Sequence, residues 1–347
     1  MKIGILTFHW ATNYGAILQA YALQEYLKGL GHEVNIVNYK PKQFDFSLIN
    51  VLYHPRKVLH LGNYLRERRK ELSLQQWRMK YLRMTCRYYR SDDMGEDAIK
   101  YDLLISGSDQ ILNAYFTTQG ENGNPTSAYY LAFASNRVKR IGYAVSFGCT
   151  QYPDYAKTTA RGWINSFDAL SVREMTGLSV LDDLQYRGRK SIVPDPTILL
   201  GRKLFDYIGV EVAERKEDYT CVYMLRREIQ LEGNIQYIDE RHNPLSMEEW
   251  LKSITSAGRL VTNSYHGMIM ALLAHVPFVA LLEKGVEGGM NDRFATLLGQ
   301  LGLTDRMITE EKEIEIVMSY PIDFNQVDKA LEKYKQLGVD FLTSELQ

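Results

Sequence analysis

The chain has 347 residues, of which 45% are hydrophobic and 24% charged, the proportions of a globular protein with a sizeable core. A formal net charge of −1 excludes a chain that is basic throughout, as a protein that coats nucleic acid would be. The three cysteines are too widely spaced for a disulfide framework or a zinc site, which excludes a small disulfide-stapled secreted protein.

The first predicted elements form a β-α-β unit. The apolar run "KIGILTF" predicts a buried strand, "GAILQAYALQEYLKGLG" a helix and "EVNIVNY" a second strand. Because the first strand begins almost at the initial residue, we expect no secretory signal. Together with the unpaired cysteines, this predicts a cytoplasmic location.

A strongly basic segment follows. Eleven lysines and arginines lie between residues 51 and 90 with only two acids, Glu67 and Glu71, so the rest of the chain is acidic. Leucines and aromatic residues at helical spacing predict a basic helical insertion over about 51–90. Such a helix would attract an anionic membrane surface, a pyrophosphate or nucleic acid; the alternative is a solvated surface helix. We expect no nucleic-acid partner, because no recognition fold accompanies the segment.

The remaining elements alternate between strand and helix in two blocks. Their sequences are "DLLISGS", "RIGYAVSFG", "ALSVRE", "TGLSVLDDLQ" and "SIVPDPTILL", then "TCVYMLR", "NIQYID", "SMEEWLKSITSAG", "RLVTN", "PFVALLE" and "NDRFATLLGQLG". This order predicts an α/β protein with two Rossmann-like domains facing a cleft. We place an N-terminal domain at residues 1–203 and a smaller C-terminal domain at 204–320. A C-terminal helix within 321–347 would then pack back on the N-terminal domain.

Two stretches depart from a simple alternation. The connection between "CVYMLR" and "NIQYID" is too short for an ordinary crossover helix, so that helix is reduced or missing, or the two strands are antiparallel. The longest apolar run, from Met268 to Leu282, is too short to span a bilayer and contains His275 and Pro277. We therefore expect no transmembrane segment there.

Five predicted strands end in polar clusters. In doubly wound sheets ligands bind outside the carboxyl ends of the strands, so these clusters are candidate binding residues. They are Thr7 to Gly15, Ser106 to Gln110, Ser146 to Gly148, Ser171 to Glu174, and the sequence "TNSYHG" ending at Gly267.

Each cluster also has a structural interpretation. Asn13 and Gly15 suit a helix cap and a turn, Asp109 suits a cap, and Arg173 next to Glu174 suits a surface ion pair. His266 could be a semi-buried histidine with no chemical role. However, Ser264 and Gly267 flank it at a predicted helix start, where free amides favour an anion, and an imidazole there can hold a proton beside that anion.

These motifs together resemble one family. The segments "ATNYGAILQAYALQ", "LLISGSDQILN", "YAVSFG", "LSVREMTGLSVL", "VPDPTILL" and "VTNSYHGMIMALLAHVPFVAL" occur in the order found in polysaccharide pyruvyl transferases. The resemblance spans roughly residues 3–305. It implies a glycosyltransferase-B-like fold and an enzyme that forms a pyruvate ketal on a hexose of a capsular or other surface polysaccharide precursor, with phosphoenolpyruvate as the donor.

The resemblance also implies roles for the candidate residues. His266 would be the general acid, and Arg173 would bind the anionic donor with Ser264, Gly267 and the "SGS" residues Ser106, Gly107 and Ser108. On the acceptor side, in the N-terminal domain, Asp109 would orient or deprotonate the sugar hydroxyls, and Asn13, Tyr14 and Gly15 would contact the sugar. The chemistry requires no metal and no cofactor besides the donor substrate.

The expected partners are phosphoenolpyruvate and a sugar acceptor carried on a lipid pyrophosphate. Segment 51–90 would then hold the enzyme peripherally at the inner face of the cell membrane. Two alternatives remain open at this point. One is a glycosyltransferase of the same fold that uses a sugar nucleotide, and the other is a non-catalytic relative that binds an anion.

Overall fold

The structure is a computed structural model, and it describes residues 1–45, 61–212, 217–238, 244–284 and 291–347. The N-terminal half contains a seven-stranded parallel sheet with the order β3-β2-β1-β4-β5-β6-β7. Its strands are β1 Lys2–Leu6, β2 Glu33–Tyr39, β3 Met84–Tyr88, β4 Leu103–Ser106, β5 Lys139–Val145, β6 Ala169–Val172 and β7 Arg189–Ile192. The order reverses between β1 and β4, which is the position where open α/β sheets bind ligands.

The helices of this half lie between successive parallel strands or follow the last of them. They are α1 Tyr14–Gly29, α2 Leu61–Tyr81, α3 Gly95–Ala98, α4 Ala114–Gln119, α5 Asp154–Ile164, α6 Met175–Asp183, α7 Pro196–Leu200 and α8 Lys203–Ile208. Helix α1 is buried along most of its length, so its sequence is apolar on nearly every face. Asn13 caps it through a hydrogen bond from the Ala16 amide.

The second half contains a five-stranded parallel sheet with the order β12-β11-β10-β8-β9. Its elements are β8 Glu217–Tyr223, β9 Ile235–Tyr237, α9 Met247–Thr255, β10 Ala257–Thr262, α10 Tyr265–Leu273, β11 Phe278–Leu281, α11 Asp292–Leu301, β12 Met307–Ile308, α12 Ile314–Met318 and α13 Phe324–Glu345. Two parallel sheets with crossover helices confirm the predicted fold class of two Rossmann-like halves.

The short connection between β8 and β9 joins parallel strands. Thr220, Cys221 and Val222 pair in parallel register with Ile235, Gln236 and Tyr237, and residues 224–234 contain no helix. The alternative of an antiparallel pair was therefore wrong. The loop between the two strands carries the chain back to the start of β9 without a helix. Strand β9 is an edge strand of only three residues.

The buried side chains form three clusters that follow the alternation of each strand. One face of the first sheet (Ile3, Ile5, Ile105) and one face of the second (Cys221, Leu260, Phe278) share a single apolar cluster. The outer faces form separate clusters, one around Leu6 and Leu104 and one around Val222 and Val261. Alternate residues of the central strands therefore pack on opposite sides, and the shared cluster holds the two sheets against each other.

Only part of the basic segment is helical. Residues 51–60 lie outside the described residues, and α2 accounts for 61–81, but Met84–Tyr88 forms the edge strand β3 rather than part of a helical insertion. Within α2, Leu74 and Trp77 are buried, and Arg78 is buried in an ion pair with Glu71. Acids from outside the segment neutralise several of its other bases, as in the pairs Arg83–Glu33, Arg87–Asp45 and Arg90–Asp92.

The C-terminal helix α13 contacts the first sheet. Glu345 pairs with Lys139 and Arg189, and the Tyr334 hydroxyl donates a hydrogen bond to the carbonyl of Val193. Phe341 packs near Tyr143 at a ring separation of 6.2 Å. Within the described ranges, no helix combines the length and the hydropathy that a membrane span needs.

Candidate functional site

Asp195 is the centre of the candidate site. Its Oδ2 accepts a hydrogen bond from Ser108 at 3.0 Å and lies 3.3 Å from Nη1 of Arg173 and 3.4 Å from Nε2 of His266. Its Oδ1 accepts hydrogen bonds from the amide and hydroxyl of Thr197 and so caps α7. One buried carboxylate therefore joins the carboxyl ends of β4, β6 and β7 to the start of α10.

Arg173 is fully buried and makes contacts on all sides of its guanidinium. Nη1 reaches Asp195 and Ser108, Nη2 donates to Asp109 at 3.2 Å, and Nε lies 3.6 Å from Glu174. Arg173 is thus in contact with three carboxylates. They hold the pKa of Arg173 above its ordinary value, although burial alone would lower it.

His266 lies against the start of α1. Its side chain is buried, and a Cβ added to Gly15 would overlap the imidazole ring. Only glycine allows the backbone of α1 to approach this closely. Gly15 and His266 are far apart in sequence, yet their contact sets the position of the ring.

Asp109 and Glu174 complete the cluster. Asp109 has a φ of +87°, a left-handed conformation that costs a non-glycine residue about 1–3 kcal/mol and that concentrates at functional sites. Its carboxylate accepts hydrogen bonds from the Gln110 amide and from Arg173. Burial raises the pKa of Glu174 despite the attraction of Arg173.

Unpaired polar atoms gather in this cluster. Buried Nε2 of His266, Nε of Arg173 and Oε2 of Glu174 have no hydrogen-bond partner among the residues that the structure describes. Buried polar atoms are normally paired, and an unpaired group calls for a ligand, a water or a chemical role. The cluster is therefore charged, desolvated and incompletely bonded, which is the environment of a functional site.

Asp195 is ionised in this environment. Burial would raise its pKa, but His266, Arg173 and the Thr197 amide outweigh burial and hold the pKa of Asp195 well below its usual range. An ionised Asp195 can stabilise positive charge on the His266 ring and fix its orientation. The arrangement can thus hold a proton beside a bound anion.

Comparison with known proteins identifies the family. The sequence pattern of the polysaccharide pyruvyl transferase family matches residues 13–284, which is more than half of the chain. The chain belongs to the polysaccharide pyruvyl transferase family. The resemblance inferred from the motifs is thereby confirmed. A search of curated proteins finds no match.

This family member also has distant likenesses among solved structures. UGT89C1 of Arabidopsis thaliana is 9% identical with a TM-score of 0.48, over 99% of this chain and 98% of that one. S. aureus MnaA with UDP is 12% identical with a TM-score of 0.46, over 97% and 90%. UDP-GlcNAc 2-epimerase from Neisseria meningitidis, bound to UDP-GlcNAc, is 8% identical with a TM-score of 0.45, over 97% and 94%. Likenesses this distant do not bear on the substrate.

Several residues predicted to bind the donor have internal roles in this chain. The Ser264 hydroxyl accepts the Gly267 amide hydrogen and so caps α10, and a Cβ on Gly267 would crowd Tyr223 and Thr262. The Ser106 hydroxyl donates to the carbonyl of Tyr129. Gly107 allows close packing on Thr7. Of the "SGSD" residues, only Ser108 and Asp109 contact Arg173.

The residues predicted to contact the acceptor are also partly structural. Asn13 caps α1 by accepting a hydrogen bond from the Ala16 amide, as predicted from its position before a helix. Tyr14 is buried, its ring stacks on Trp250 at 4.9 Å, and its hydroxyl donates to the carbonyl of Leu245. Tyr14 therefore links α1 to the second half of the chain, and only Gly15 of the three touches the cluster.

A cavity of about 480 Å³ lies beside the loop that precedes α1, with His9 and Trp10 in its lining. This volume is in the usual range for a small-molecule site. Thr12, in that loop, donates a hydrogen bond to Glu71 in the cavity wall. The lining contains four basic residues and two acids, together with a tryptophan: Lys40, Arg68, Arg78, Arg87, Asp45, Glu71 and Trp10.

His9, at the same cavity, is not a candidate acid at neutral pH. Burial lowers the pKa of His9 to about 4, although hydrogen bonds to Asn38 and the carbonyl of Thr7 act in the opposite direction. Within the described ranges, no group of three or more His, Cys, Asp or Glu side chains is arranged to hold a metal ion.

Two residues of the site were missed at the sequence level. Asp195 stands between Pro194 and Pro196 after a strand, and this polar residue at a strand end is the signal that could have identified it. Arg293, whose guanidinium lies 5.4 Å from the ring centre of Tyr265, is the second residue of an ordinary amphipathic helix and has no such signal.

Proposed function

We propose that this family member transfers the pyruvyl group of phosphoenolpyruvate to two hydroxyls of a hexose, forming a cyclic ketal in a surface or capsular polysaccharide precursor. The observation that carries the proposal is the convergence of His266 and Arg173 on the same oxygen of Asp195. An imidazole thus stands beside a guanidinium in a buried charged cluster, which supports a role in protonating an anionic enol ester.

The proposed reaction has three steps. His266 gives a proton to the methylene carbon of phosphoenolpyruvate, leaving a cation at the central carbon that the adjacent oxygen stabilises. A sugar hydroxyl attacks that carbon and loses its proton, and inorganic phosphate departs with its bonding electrons. A second hydroxyl then closes the ring and releases the last proton, so the products are the ketal and phosphate.

Asp195 and Asp109 have separate roles in this proposal. Asp195 orients the imidazole of His266 and stabilises its positive charge before proton transfer. The side chain of Asp109 is 19% exposed, the most accessible carboxylate of the cluster, so it is the candidate to orient or deprotonate a sugar hydroxyl. The cavity beside Trp10 would receive the acceptor, because the indole ring of Trp10 can stack on a sugar ring. The basic residues that line the cavity would bind the pyrophosphate of the carrier.

The proposal is tested by phosphate release. The purified chain is incubated with phosphoenolpyruvate and a panel of galactose, mannose and N-acetylhexosamine glycolipids. We expect acceptor-dependent release of phosphate with at least one of them. Release with none, at high enzyme concentration, would favour an anion-binding relative, and sugar transfer from a nucleotide donor would favour a glycosyltransferase.

Gly15→Ala is expected to reduce turnover by about 100-fold, because the added methyl group must displace the imidazole of His266 and small displacements of a catalytic group cost about that factor. Gly29→Ala is the matched control. Gly29 ends the same helix, and a Cβ there would meet no atom within 4 Å. The rate of phosphate release measures both variants. Equal rates would show that the contact between Gly15 and His266 does not set the position of a catalytic ring.

Association with an anionic membrane through segment 51–90 is a further part of the proposal. Arg68 and Arg69 on α2 are exposed and have no ion pair within the described part of the chain. Replacing both with glutamine should weaken co-sedimentation with vesicles that contain anionic lipid. Replacing exposed Arg137 and Arg187, outside the segment, should not. Equal binding by both double variants would contradict docking through α2.

A further inference from the structure

Arg293 is fixed beside the Asp195 cluster by contacts between the two halves of the chain. The preceding residue, Asp292, accepts hydrogen bonds from the amide of Thr176 at 3.0 Å and from its hydroxyl at 2.7 Å. One turn later, the hydroxyl of Thr296 accepts the Met175 amide hydrogen at 3.2 Å. Helix α6 begins directly after Arg173 and Glu174, so these bonds hold the first turn of α11 next to both residues.

Arg293 and Arg173 are two like charges held on one aromatic ring. Each guanidinium carbon lies 5.4 Å from the centre of the Tyr265 ring. Burial and the neighbouring charge of Arg173 lower the pKa of Arg293 to about 10, so both side chains remain cationic at neutral pH. Asp109 and Glu174 offset part of the repulsion between the two cations, and a bound anion would offset it further.

The two arginines differ in what they already bind. Arg173 is fully buried and contacts three carboxylates. Arg293 is mostly buried but keeps some exposure, and its guanidinium, including the buried Nε, forms no hydrogen bond or ion pair with any residue in the described ranges. The donors of Arg293 are therefore unsatisfied, whereas both terminal nitrogens of Arg173 already donate to neighbouring side chains.

The accessible edge of the cluster is also at Arg293. Arg173, Asp195, Glu174 and His266 are all buried, while Asp109 and Arg293 retain exposure. Solvent therefore meets the cluster at Asp109 and Arg293. A planar guanidinium with free donors binds a phosphate or carboxylate through two parallel hydrogen bonds.

We propose that Arg293 is the residue that binds the phosphate or carboxylate of the donor, and that Arg173 instead positions Asp109, Asp195 and Ser108. This inference rests on the proposed function and changes the role that the family resemblance implies for Arg173. It makes Arg293 a donor-binding residue and Arg173 a positioning residue.

The test is equilibrium binding of phosphoenolpyruvate to the full chain, without acceptor, by calorimetry. Arg293→Gln should weaken binding by about 10- to 100-fold, the usual value of a charge-assisted hydrogen bond. The affinity of Arg293→Lys should lie between those of the unsubstituted chain and Arg293→Gln, because lysine keeps the positive charge but cannot form the two parallel hydrogen bonds of a guanidinium. Arg137→Gln, at an exposed arginine elsewhere in the first half, is the control and should bind as the unsubstituted chain does. Thermal unfolding of each variant checks that the fold is kept.

Competition separates the two possible contacts. Inorganic phosphate and pyruvate are each titrated against phosphoenolpyruvate in the unsubstituted chain and in Arg293→Gln. Loss of competition by phosphate alone assigns Arg293 to the phosphate, and loss by pyruvate alone assigns it to the carboxylate; both results support the inference. Undiminished binding of phosphoenolpyruvate by folded Arg293→Gln would overturn the inference about Arg293 and leave the proposed function standing. Failure of the unsubstituted chain to bind phosphoenolpyruvate would overturn the proposed function with it.

Discussion

His266→Ala is expected to lower turnover by about 10²–10⁴-fold, the usual contribution of a general acid, while the Kd for phosphoenolpyruvate changes little. The reason is that the imidazole supplies a proton to the donor carbon, whereas arginine and amide groups hold the donor's charges. Phosphate release under saturating substrates measures the first effect, and equilibrium binding measures the second.

A matched control separates chemistry from packing. His275→Ala removes a histidine from the turn after the same helix, where it pairs with Asp328 at 3.0 Å and stacks on Phe324. That variant should turn over at nearly the normal rate. A His266→Ala enzyme as active as His275→Ala would remove His266 from the acid role. Loss of donor binding together with turnover would show that His266 binds the donor instead of protonating it.

Asp195→Ala is expected to reduce the free energy of unfolding by about 3–5 kcal/mol, because it removes a buried carboxylate that pairs with Arg173 and accepts hydrogen bonds from Ser108 and Thr197. The same change should abolish turnover, since Arg173, Ser108 and His266 all lose their common contact. Asp195→Asn keeps the side-chain volume and removes only the charge. Its stability and turnover can therefore be measured if the alanine variant does not fold.

The control for stability is Asp182→Ala. Asp182 is largely exposed and pairs with Lys190, and exposed pairs contribute about 1 kcal/mol or less. Denaturant unfolding compares the variants at neutral pH. An Asp195→Ala chain no less stable than Asp182→Ala would show that the buried cluster contributes nothing to the fold.

The stability contribution of Asp195 also depends on pH. Its folded pKa is depressed, so its contribution is fully present above the unfolded value of about 4 and is lost as the pH falls through the folded pKa. The difference in unfolding free energy between the unsubstituted chain and Asp195→Asn should therefore be constant near neutrality and shrink below about pH 4.

Long periodic segments made the fold predictable. Continuous apolar runs such as those of β1 and β10 indicate strands buried on both faces, and the two blocks of alternating elements correspond to the two sheets. Strand β3 was not predicted because its sequence, "MTCRY", is partly exposed at the sheet edge and follows a long basic helix. The parallel pairing of β8 and β9 could not be predicted, since a loop without a helix gives no signal of direction.

The candidate site was only half predictable. Polar residues at strand ends indicated Arg173, Asp109 and His266, because such residues are conspicuous after apolar runs. What each of them contacts is a tertiary property. Nothing in the sequence shows that Arg173 is already in contact with three carboxylates or that Arg293, more than a hundred positions later, shares a ring with it.

The central claim is that His266, held in the cluster around Asp195, protonates the methylene carbon of phosphoenolpyruvate. The most direct measurement is the mass of the product made from phosphoenolpyruvate in D₂O, after its exchangeable hydrogens are returned to H₂O. The account predicts one deuterium retained in the methyl group of each pyruvate ketal. A ketal with no carbon-bound deuterium, or a product in which no pyruvyl group has been transferred, would contradict it.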